Sequence, residues 1–577
     1  MPYRTTSRVP QGHFSLWRLI RANAYDFATL LRESWLVLVG FALIAVSGSI
    51  YLRFFYPPTP SSPRPDNILE AFYQTFQLLT FQSSLAFPDS DPLGEVMFFL
   101  FPFLGLALIF QSVLNFARLL LDKSSRREAW QVSLASTYQQ HVIVCGLGRV
   151  GLRAINQLLE AGYEPVVIQL NWDSEFVPQL IQRSIPVVLG DARNPEVLRQ
   201  AGLLRARALI CAISDDLANI EIALIARNLR PDGMRCVLRI FNEDLDRSLE
   251  RSFGQHSAFS ASALAAPTYA AAAVSRDIET ALPVFGQVIA TTQIVAAGVA
   301  RLTPAALERA YDVRLLNLSP PVGLGNGTIA NRSRITAIGT LDALERLRLA
   351  NAPDERQQRP DERRPLVIIC GLGKVGYRVV RQLARISPRP EIVVVRRDGD
   401  TADFASRIDQ IDGLTTILGD AADIDVLRQA GIDRAYAVAA LTSNDLLNLQ
   451  IGLAARRHRE DIRVVLRVFS DALSERLADL VGIHTAYSTS GLAAPTLVAA
   501  AVHSGIRHAF VSGGRLFVTQ RQTIAPDHPL LGQTVEAVRD RGAGLILGMR
   551  RGQHTSLLPP PETALALDDL ILLLLPR

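Results

Sequence analysis

The sequence has few cysteines and no clustered histidines, and these shortages exclude several classes of protein. Its 577 residues contain 4 cysteines, Cys145, Cys211, Cys236 and Cys370, and no two of them form a Cys-x-x-Cys pair. A small disulfide scaffold is therefore excluded, and we expect buried, reduced thiols in a reducing compartment. The 9 histidines are scattered, without a Ser/His/Asp or Cys/His grouping. Because no catalytic set is present, we predict that the protein is not an enzyme.

Lysine is nearly absent, which changes the meaning of the positive charge. Of the 60 basic residues only Lys123 and Lys374 are lysine, and 55 acidic residues are interspersed with the arginines. The formal net charge of +5 therefore reflects a use of arginine along the whole chain and not a basic patch. We predict no nucleic-acid partner.

Charged residues are missing from two long stretches, residues 34–52 and 96–117. Each stretch is about long enough to cross the hydrocarbon of a bilayer as a helix. Arginines precede the first stretch and follow the second, so the positive-inside rule places both chain ends in the cytoplasm and residues 53–95 outside. We therefore predict a multi-pass protein of the cell inner (plasma) membrane. The alternative is a pair of helices buried in the core of a soluble protein.

The segment between the two predicted spans is more than a simple loop. A Pro/Ser-rich stretch, Pro57–Pro65, precedes residues 68–80, which are long enough for about three helical turns but too short to span a membrane. Residues 81–94 then lead back to the second span. Irregular backbone at membrane depth is tolerated only where it lines a water-filled path or is buried in protein. A span, a half-helix, a re-entrant segment and a second span make one quarter of a pore, so we predict a homotetramer.

This hairpin resembles the two-transmembrane potassium channels in plan. Residues 71–94 align without gaps to their pore helix and filter, with Thr80 before the signature and residues 81–85 in the place of T-V-G-Y-G. The signature uses glycines where the backbone needs a positive φ, so that carbonyl rings replace the water around an ion. Ser83 and Leu85 stand at those positions. The resemblance therefore implies a pore but not potassium selectivity.

We expect a wider or differently built constriction, lined by side chains as well as carbonyls. Acidic rings near the outer mouth, formed by Asp89, Asp91 and Glu95, would favour monovalent or divalent cations. Gly105 in the second span is the candidate hinge. The alternative is an occluded pore whose membrane part is only an anchor. The predicted ion pathway consists of Thr80, Phe81, Gln82, Ser83, Ser84, Leu85, Asp89 and Asp91.

The remainder of the chain is a tandem repeat. His141–Gly151 recurs as Leu366–Gly376, and Gly190–Gly202 recurs as Gly419–Gly431. Further matches continue for more than a hundred residues, with offsets between 225 and 229. Self-similarity of this length at a nearly constant offset indicates a duplicated domain.

Each copy carries a Gly-x-Gly-x-x-Gly loop between an apolar strand and an amphipathic helix. Glycine permits a tight turn and the close approach of a phosphate, and the helix N-terminus supplies amide donors. The alternation of strands and helices predicts an α/β, Rossmann-like fold with a doubly wound parallel sheet in each copy. The alternative is a fold that has kept its glycines without holding a ligand.

The acidic residue that would bind the ribose of NAD is missing from both copies. At the end of the second strand the first copy has Gln169 and Asn171, and the second copy has Arg396 and Arg397. The neutral pair can hydrogen-bond a ribose, whereas the arginine pair favours a phosphate, as in NADP sites. The expected ligand is therefore an adenine nucleotide or NAD(P)(H) in one or both copies.

The motif at Gly190–Gly202, followed by Ser214-Asp-Asp-x-x-Asn219, resembles the RCK (regulator of K+ conductance) domain of prokaryotic potassium channels and transporters. The resemblance covers nearly all of residues 140–577. It implies a nucleotide cleft in each copy and an eight-membered gating ring, which four chains with two copies each would supply. The implied cleft residues are Gly146, Gly148, Arg149, Gly151, Gln169, Asn171, Asp191, Gly371, Gly373, Lys374, Gly376, Arg396, Arg397 and Asp420.

Two acidic runs leave metal regulation open. Asp215-Asp216 and Glu243-Asp244-x-Asp246 are candidate Ca²⁺ ligands between subunits, or they are solvated loop faces. No confident metal site is predicted.

The sequence thus predicts a multi-domain chain: an α-helical membrane pore module followed by two RCK domains, each with a small C-terminal lobe. The predicted function is that of a ligand-gated cation channel, and the alternative is a membrane-anchored, nucleotide-sensing regulatory subunit of a cation transport system. The predicted divisions are a cytosolic N-terminal segment with an amphipathic helix (1–33), the pore module (34–121), a linker (122–139), the first Rossmann-like lobe (140–284) and C-terminal lobe (285–348), a linker (349–365), and the second pair of lobes (366–513 and 514–577).

Overall fold

A computed structural model describes residues 35–59, 62–89, 91–121, 123–231, 233–242, 253–254, 257–319, 327–352, 365–397, 402–469 and 485–577. The chain divides into two compact units: one holds the residues up to Tyr138 together with Pro186–Val188, and the other holds the rest. The amphipathic helix predicted within residues 1–33 and the acidic run at 243–246 lie outside the described residues.

The first unit is helical and carries a large apolar surface. Within the described residues, Pro92–Gln111 is long and apolar enough to cross a membrane, and Val39–Phe54 is a shorter apolar helix. Both expose large apolar side chains, for example Leu43 at 66% and Phe99 at 70%. A contiguous apolar surface of this kind is typical of a face that lipid or protein covers. The helices are Trp35–Phe54, Ile68–Leu79, Pro92–Leu121 and Lys123–Ser136.

The short helix Ile68–Leu79 is held against both of its long neighbours by contacts that only glycine permits. A Cβ on Gly48 would lie 2.4 Å from the Thr75 methyl carbon, and a Cβ on Gly105 would lie 2.3 Å from the carbonyl oxygen of Leu79. At its start, the side chain of Asn67 accepts a hydrogen bond from the Glu70 amide at 2.8 Å, a normal N-cap. The predicted half-helix is therefore a distinct, closely packed element.

The second unit contains two Rossmann-like α/β domains, as the sequence predicts. Their parallel six-stranded sheets have the orders β3-β2-β1-β4-β5-β6 and β13-β12-β11-β14-β15-β16. The strand carrying each glycine loop is central, so the loop lies where the strand order reverses, the usual ligand position in such sheets. The strands are β1 Val142–Cys145, β2 Pro165–Gln169, β3 Val187–Leu189, β4 Ala208–Cys211, β5 Arg235–Arg239, β6 Ala258–Phe259, β11 Leu366–Cys370, β12 Glu391–Arg396, β13 Leu414–Leu418, β14 Ala437–Ala440, β15 Arg463–Arg467 and β16 Ala486–Tyr487.

Helices cover these sheets. In the first domain they are Arg149–Glu160, Val177–Gln182, Pro195–Gln200 and Asp216–Leu229. In the second they are Lys374–Leu383, Ala402–Ile408, Ile424–Gln429 and Asp445–His458.

A small antiparallel lobe follows each Rossmann-like domain. The strand orders are β7-β8-β10-β9 in the first lobe and β17-β18-β21-β19-β20 in the second. The strands are β7 Ile278–Val284, β8 Gln287–Val295, β9 Val313–Ser319, β10 Arg334–Thr340, β17 Ile506–Ser512, β18 Arg515–Thr523, β19 Leu545–Arg551, β20 His554–Leu557 and β21 Leu570–Pro576. Their helices are Pro304–Tyr311, Leu341–Asn351 and Val535–Asp540.

Two alanine-rich helices, Ala261–Val274 and Thr489–Val502, pack the two copies together. Both are almost entirely buried, because their small side chains allow neighbouring elements to approach closely. The Tyr269 hydroxyl donates a hydrogen bond to the backbone carbonyl of Tyr487 at 2.7 Å, across the two copies. The position of each copy is therefore fixed relative to the other by a shared core.

The prediction of buried, unpaired cysteines is confirmed. All 4 thiols are free and buried. Burial raises the pKa of both Cys236 and Cys370 to about 12, so these thiols stay protonated and unreactive.

Candidate functional site

The glycine loop of the first copy connects β1 to the helix Arg149–Glu160. Gly146 has a φ of 94°, a conformation that other residues rarely adopt. A Cβ on Gly151 would lie 2.0 Å from the carbonyl oxygen of Gly146, so glycine is required for the helix to begin this close to the strand. A Cβ on Gly148, by contrast, would meet no atom within 4 Å. The loop is thus tight on its protein side and open at the helix N-terminus, where a phosphate would bind.

A cavity of about 690 Å³ lies over this loop, and both copies line it. From the sequence we predict two separate clefts, and the sharing of one cavity by both copies is not predicted. The recurrence of Arg239 as Arg467 is the sequence feature that points to the shared cavity. The predicted cleft residues that line the cavity are Gly146, Gly148, Arg149, Gln169, Asp191 and Lys374. Polar lining residues that were not assigned to a nucleotide cleft include Arg193, Asp215, Asp216, Arg239, Asp445, Arg467, Ser488 and Ser490.

Gln169 has a structural role beside the one predicted for it. Its side-chain carbonyl accepts a hydrogen bond from the Leu147 amide at 2.9 Å, which fixes the middle of the glycine loop. Asn171 is exposed beyond the end of β2 and is not among the residues that line the cavity. The structure therefore brings the first of the two predicted ribose-binding residues to the cavity and not the second.

Asp191 reaches the cavity from the loop after β3. Its carboxylate accepts hydrogen bonds from the side chain of Arg193 at 2.7 Å and from the backbone amide of Arg193 at 2.9 Å. These hydrogen bonds lower the pKa of Asp191, so the group is ionised at neutral pH. Its oxygens can accept from ribose hydroxyls.

Two equivalent arginines, Arg239 and Arg467, end β5 and β15 and line the cavity. Burial lowers the pKa of both guanidinium groups, and the charge of Arg467 lowers the pKa of Arg239 further. The neighbouring carboxylates of Asp216 and Asp445 oppose these pKa shifts. Each carboxylate also accepts a hydrogen bond at 2.8 Å from a backbone amide, that of Phe241 for Asp216 and that of Phe469 for Asp445. Two partly desolvated cations around one cavity favour an anionic ligand.

Phe469 of the second copy packs against two arginines of the helix that follows the first copy's glycine loop. The guanidinium carbons of Arg149 and Arg153 lie 5.1 and 5.4 Å from the centre of its ring. Arg149 also pairs with Asp445, at 3.6 Å. Arg149, which the resemblance assigns to the nucleotide cleft, is therefore held by the other copy, and this contact couples the cleft to the interface between domains.

The cleft of the second copy has the same loop but different surroundings. Gly371 has a φ of 100°, and Arg397 pairs with Asp420 at 2.8 Å. Hydrogen bonds from the Ala422 amide and from Arg397 lower the pKa of Asp420. Lys374 lies 4.9 Å from the ring centre of Phe241, a mirror of the arrangement around Phe469. Among the predicted residues of this copy, Gly371, Gly373, Gly376, Arg396, Arg397 and Asp420 do not line the shared cavity.

The acidic run that the structure describes is occupied in structural roles. Asp215 caps the helix Asp216–Leu229 by accepting from the Leu217 amide at 2.9 Å, and Asp216 accepts from the Phe241 amide. Within the described part of the chain, no group of three or more metal-ligating side chains is present.

The predicted ion-pathway residues follow the half-helix directly. Within the described residues 81–89, positive φ occurs at Phe81 (60°) and not at Ser83 or Leu85. The backbone therefore does not reproduce the glycine-based signature, in agreement with the sequence. The Thr80 hydroxyl donates to the Phe76 carbonyl at 3.1 Å, and Gln82, Ser84 and Asp89 are exposed.

Asp91 and Gly105 both have packing partners. The Tyr51 hydroxyl donates to the Asp91 carboxylate at 2.7 Å, which ties the first long helix to the start of the second. Gly105 lies against the last turn of the half-helix, as described above. The hinge role of Gly105 stays a prediction.

Comparison with known families identifies the two Rossmann-like domains. Residues 142–261 and 367–489 both match the model of the TrkA-N domain. The chain therefore contains two TrkA-N (RCK) domains, one in each copy of the repeat.

Two relatives by sequence carry names from potassium transport. The chain is 36% identical over 91 residues to the "Trk system potassium uptake protein TrkA homolog" of Archaeoglobus fulgidus, and the matched region covers 16% of this chain and 19% of that protein. It is 23% identical over 212 residues to "Potassium channel protein 1" of Methanocaldococcus jannaschii, and the matched region covers 35% of this chain and 61% of that protein. The chain thus spans less than two thirds of the length of these relatives.

Two solved structures of one channel share the fold over nearly the whole chain. The "GsuK Channel" matches with a TM-score of 0.55 at 19% identity, over 94% of this chain and 97% of that chain. The "GsuK channel bound to NAD" matches with a TM-score of 0.52 at 19% identity, over 95% and 97% respectively.

Proposed function

We propose that this protein is a nucleotide-gated cation channel whose two RCK domains sense the ligand together. The observation that carries the proposal is the cavity over the first glycine loop, which both copies line. A phosphate-bearing ligand there would contact Arg149 and Arg239 of one domain and Lys374 and Arg467 of the other. Because these cations belong to different domains, ligand binding favours one arrangement of the pair over others.

The ligand class follows from the polarity of the two ends of the cavity. The open helix N-terminus at Gly148 suits a phosphate, and Asp191 near Gln169 suits ribose hydroxyls. NAD is the first candidate, because a channel of the same fold is solved with NAD bound. Adenine nucleotides without a nicotinamide are the second. The role is binding without catalysis.

The first unit supports a pore. A half-helix packed between two long apolar helices through Gly48 and Gly105 has no purpose in a simple anchor. We propose that four chains assemble around one pathway in the inner membrane, with both chain ends cytoplasmic. Their eight RCK domains would form the gating ring, and residues 122–139 would transmit its movement to the helix Pro92–Leu121. The filter segment without glycines would pass cations with a selectivity of its own.

A second candidate function is a membrane-anchored regulatory subunit of a cation transport system. It is favoured by the filter segment, where Ser83 and Leu85 lack the positive φ of a carbonyl cage. It is also favoured by the relative from Archaeoglobus fulgidus, which is a Trk uptake protein.

Recording from the purified full-length protein in planar bilayers tests the two functions against each other. We expect cation currents whose open probability changes with NAD or ADP, and bi-ionic reversal potentials with K⁺, Na⁺ and Ca²⁺ give the selectivity. Nucleotide binding without current under any condition would overturn the channel and favour the regulatory subunit. Current that no nucleotide affects would overturn the gating role of the cavity.

A further inference from the structure

A second cavity lies where the Rossmann-like domain and the C-terminal lobe of the first copy meet the C-terminal lobe of the second copy. Its volume is about 410 Å³, and neither glycine loop lines it. Much of its wall is apolar and includes Phe259, Leu264 and Phe285. The wall also carries Arg507, His508 and Arg521 from neighbouring strands β17 and β18. An apolar cavity with a few convergent polar groups is the usual form of a small-molecule site.

His508 is the polar group most deeply placed in this wall. It is 6% exposed, and among the described residues its two ring nitrogens have at most one hydrogen-bond partner, the backbone of Leu264. Burial lowers the pKa of His508 to about 4, and the backbone hydrogen bond with Leu264 offsets only part of this shift. The ring is therefore neutral at physiological pH, with one donor and one acceptor to offer. Folded proteins satisfy most buried polar atoms, so the ring nitrogen that remains without a partner requires an explanation.

The duplicated domain shows that the fold does not require histidine at this position. Thr280 of β7 is the equivalent residue, since both strands pair with their neighbours through the same bulge, before Thr280 and before His508. The backbone carbonyls of Thr280 and His508 also accept from equivalent hydroxyls, of Thr291 and Thr519. The Thr280 hydroxyl, however, lies 3.5 Å from that of Thr268 and so has a partner.

Two neighbours of His508 also differ from their first-copy equivalents, and both are more positively charged. Arg507 replaces Glu279, and Arg521 replaces the Gln293 of β8. Glu279 accepts hydrogen bonds across the two copies, from the Ser512 hydroxyl and from the Gly513 amide, so its carboxylate takes part in the contact between the copies. The equivalent positions of the second copy carry positive charge beside an apolar wall, where the Arg521 guanidinium lies 5.8 Å from the ring centre of Phe285.

We propose that this second cavity binds a small organic anion with an apolar body, whose acidic group meets Arg507 and Arg521 and which hydrogen-bonds to His508. The site adjoins the nucleotide cavity, with which it shares Ile240, Phe241 and Ser260, and anion binding there does not rest on nucleotide gating. Its occupant would link the first Rossmann-like domain to the second C-terminal lobe and would stabilise that contact. The site thus provides a second regulatory input to the same pair of domains.

Titration calorimetry on the full-length protein in lipid nanodiscs tests the site, with naphthalene-1-sulfonate as the anionic probe and naphthalene-1-sulfonamide as its uncharged counterpart. Heats from empty nanodiscs are subtracted. We expect Arg521→Gln and His508→Thr each to weaken binding of the sulfonate about 10-fold, the effect of one charge-assisted or buried hydrogen bond. Binding of the sulfonamide should change less than twofold in Arg521→Gln.

Two features of the design keep the outcome decisive. His508→Thr installs the residue that the first copy holds on the same backbone, and Arg521 is exposed, so both variants are expected to fold. Gln293→Ala, at the equivalent position in the first copy, is the matched control and should leave sulfonate binding unchanged. Equal sulfonate affinity in the wild type, Arg521→Gln and His508→Thr would overturn the proposal, as would a wild-type protein that takes up neither probe.

Discussion

Valine in place of Gly148 tests directly whether the first glycine loop holds a phosphate. Gly148 and its equivalent Gly373 have φ values of −95° and −83°, which any residue adopts without strain. A Cβ at either position would meet no atom within 4 Å. Both valine variants should therefore fold, but only the side chain at residue 148 enters the shared cavity, which Gly148 lines.

The size of the effect follows from the contacts that the valine would prevent. Its methyl groups would hold a phosphate away from the amides at the start of the helix Arg149–Glu160. A hydrogen bond to a charged group contributes about 1.5–3 kcal/mol. Loss of one such bond predicts a decrease in affinity of about 10- to 150-fold.

Calorimetric titration of the full-length protein with NAD and with ADP measures this decrease. We expect Gly148→Val to lose affinity by this factor. In Gly373→Val, the matched control, the affinity should change less than about threefold, because that substitution removes no charge-assisted contact from the ligand. Melting temperatures of both variants should equal that of the wild type. Unchanged affinity in Gly148→Val would refute the assignment of the cavity, and an equal loss in both variants would refute the asymmetry between the copies.

Three further changes test the packing that supports these sites. Asp569→Ala should lower the free energy of unfolding by about 2 kcal/mol in chemical denaturation, because it removes a buried carboxylate that accepts from Arg551 at 2.7 Å. Because this pairing lowers the pKa of Asp569, its contribution to the free energy of unfolding is present above the ordinary carboxyl pKa and is lost as the pH falls through the lowered pKa. The stability of Asp569→Ala should therefore decrease less at acidic pH than that of the wild type. Tyr269→Phe should cost about 1 kcal/mol in the same assay by removing a hydrogen bond between the copies. Gly48→Ala, with its Cβ only 2.4 Å from the half-helix, should abolish bilayer currents, whereas Gly40→Ala, which meets no atom within 4 Å, should preserve them.

The Rossmann-like domains could be predicted from sequence because their signals are local. An apolar strand such as Val142–Cys145 is buried on both faces, and the glycines that follow it are required by a positive φ and a close approach. The packing of Ala261–Val274 against Thr489–Val502 could not be predicted in the same way. Alanine-rich composition indicates a close neighbour but does not name it, and the partner lies more than two hundred residues away.

The same limit explains which site residues were found. Gly146, Gly148 and Asp191 belong to the motifs of one copy, so sequence spacing alone predicts their convergence. Asp445 and Phe469 reach the cavity only because the buried helices place the second copy beside the first. Their role depends on a contact between domains, which no periodicity or motif in either copy encodes.

Duplication separates what the fold needs from what a site needs. The glycine loops, the β-bulges before Thr280 and His508, and the arginines at the ends of β5 and β15 recur in both copies, so shared architecture accounts for them. The side chains at Thr280 and His508 differ on one and the same backbone, and so do the ribose-side residues of the two clefts. Stability of the repeat cannot explain such differences, since one copy already folds with the other residue. They are therefore the positions where binding is expected to have specialised, and exchange of residues between equivalent positions is the most direct way to measure it.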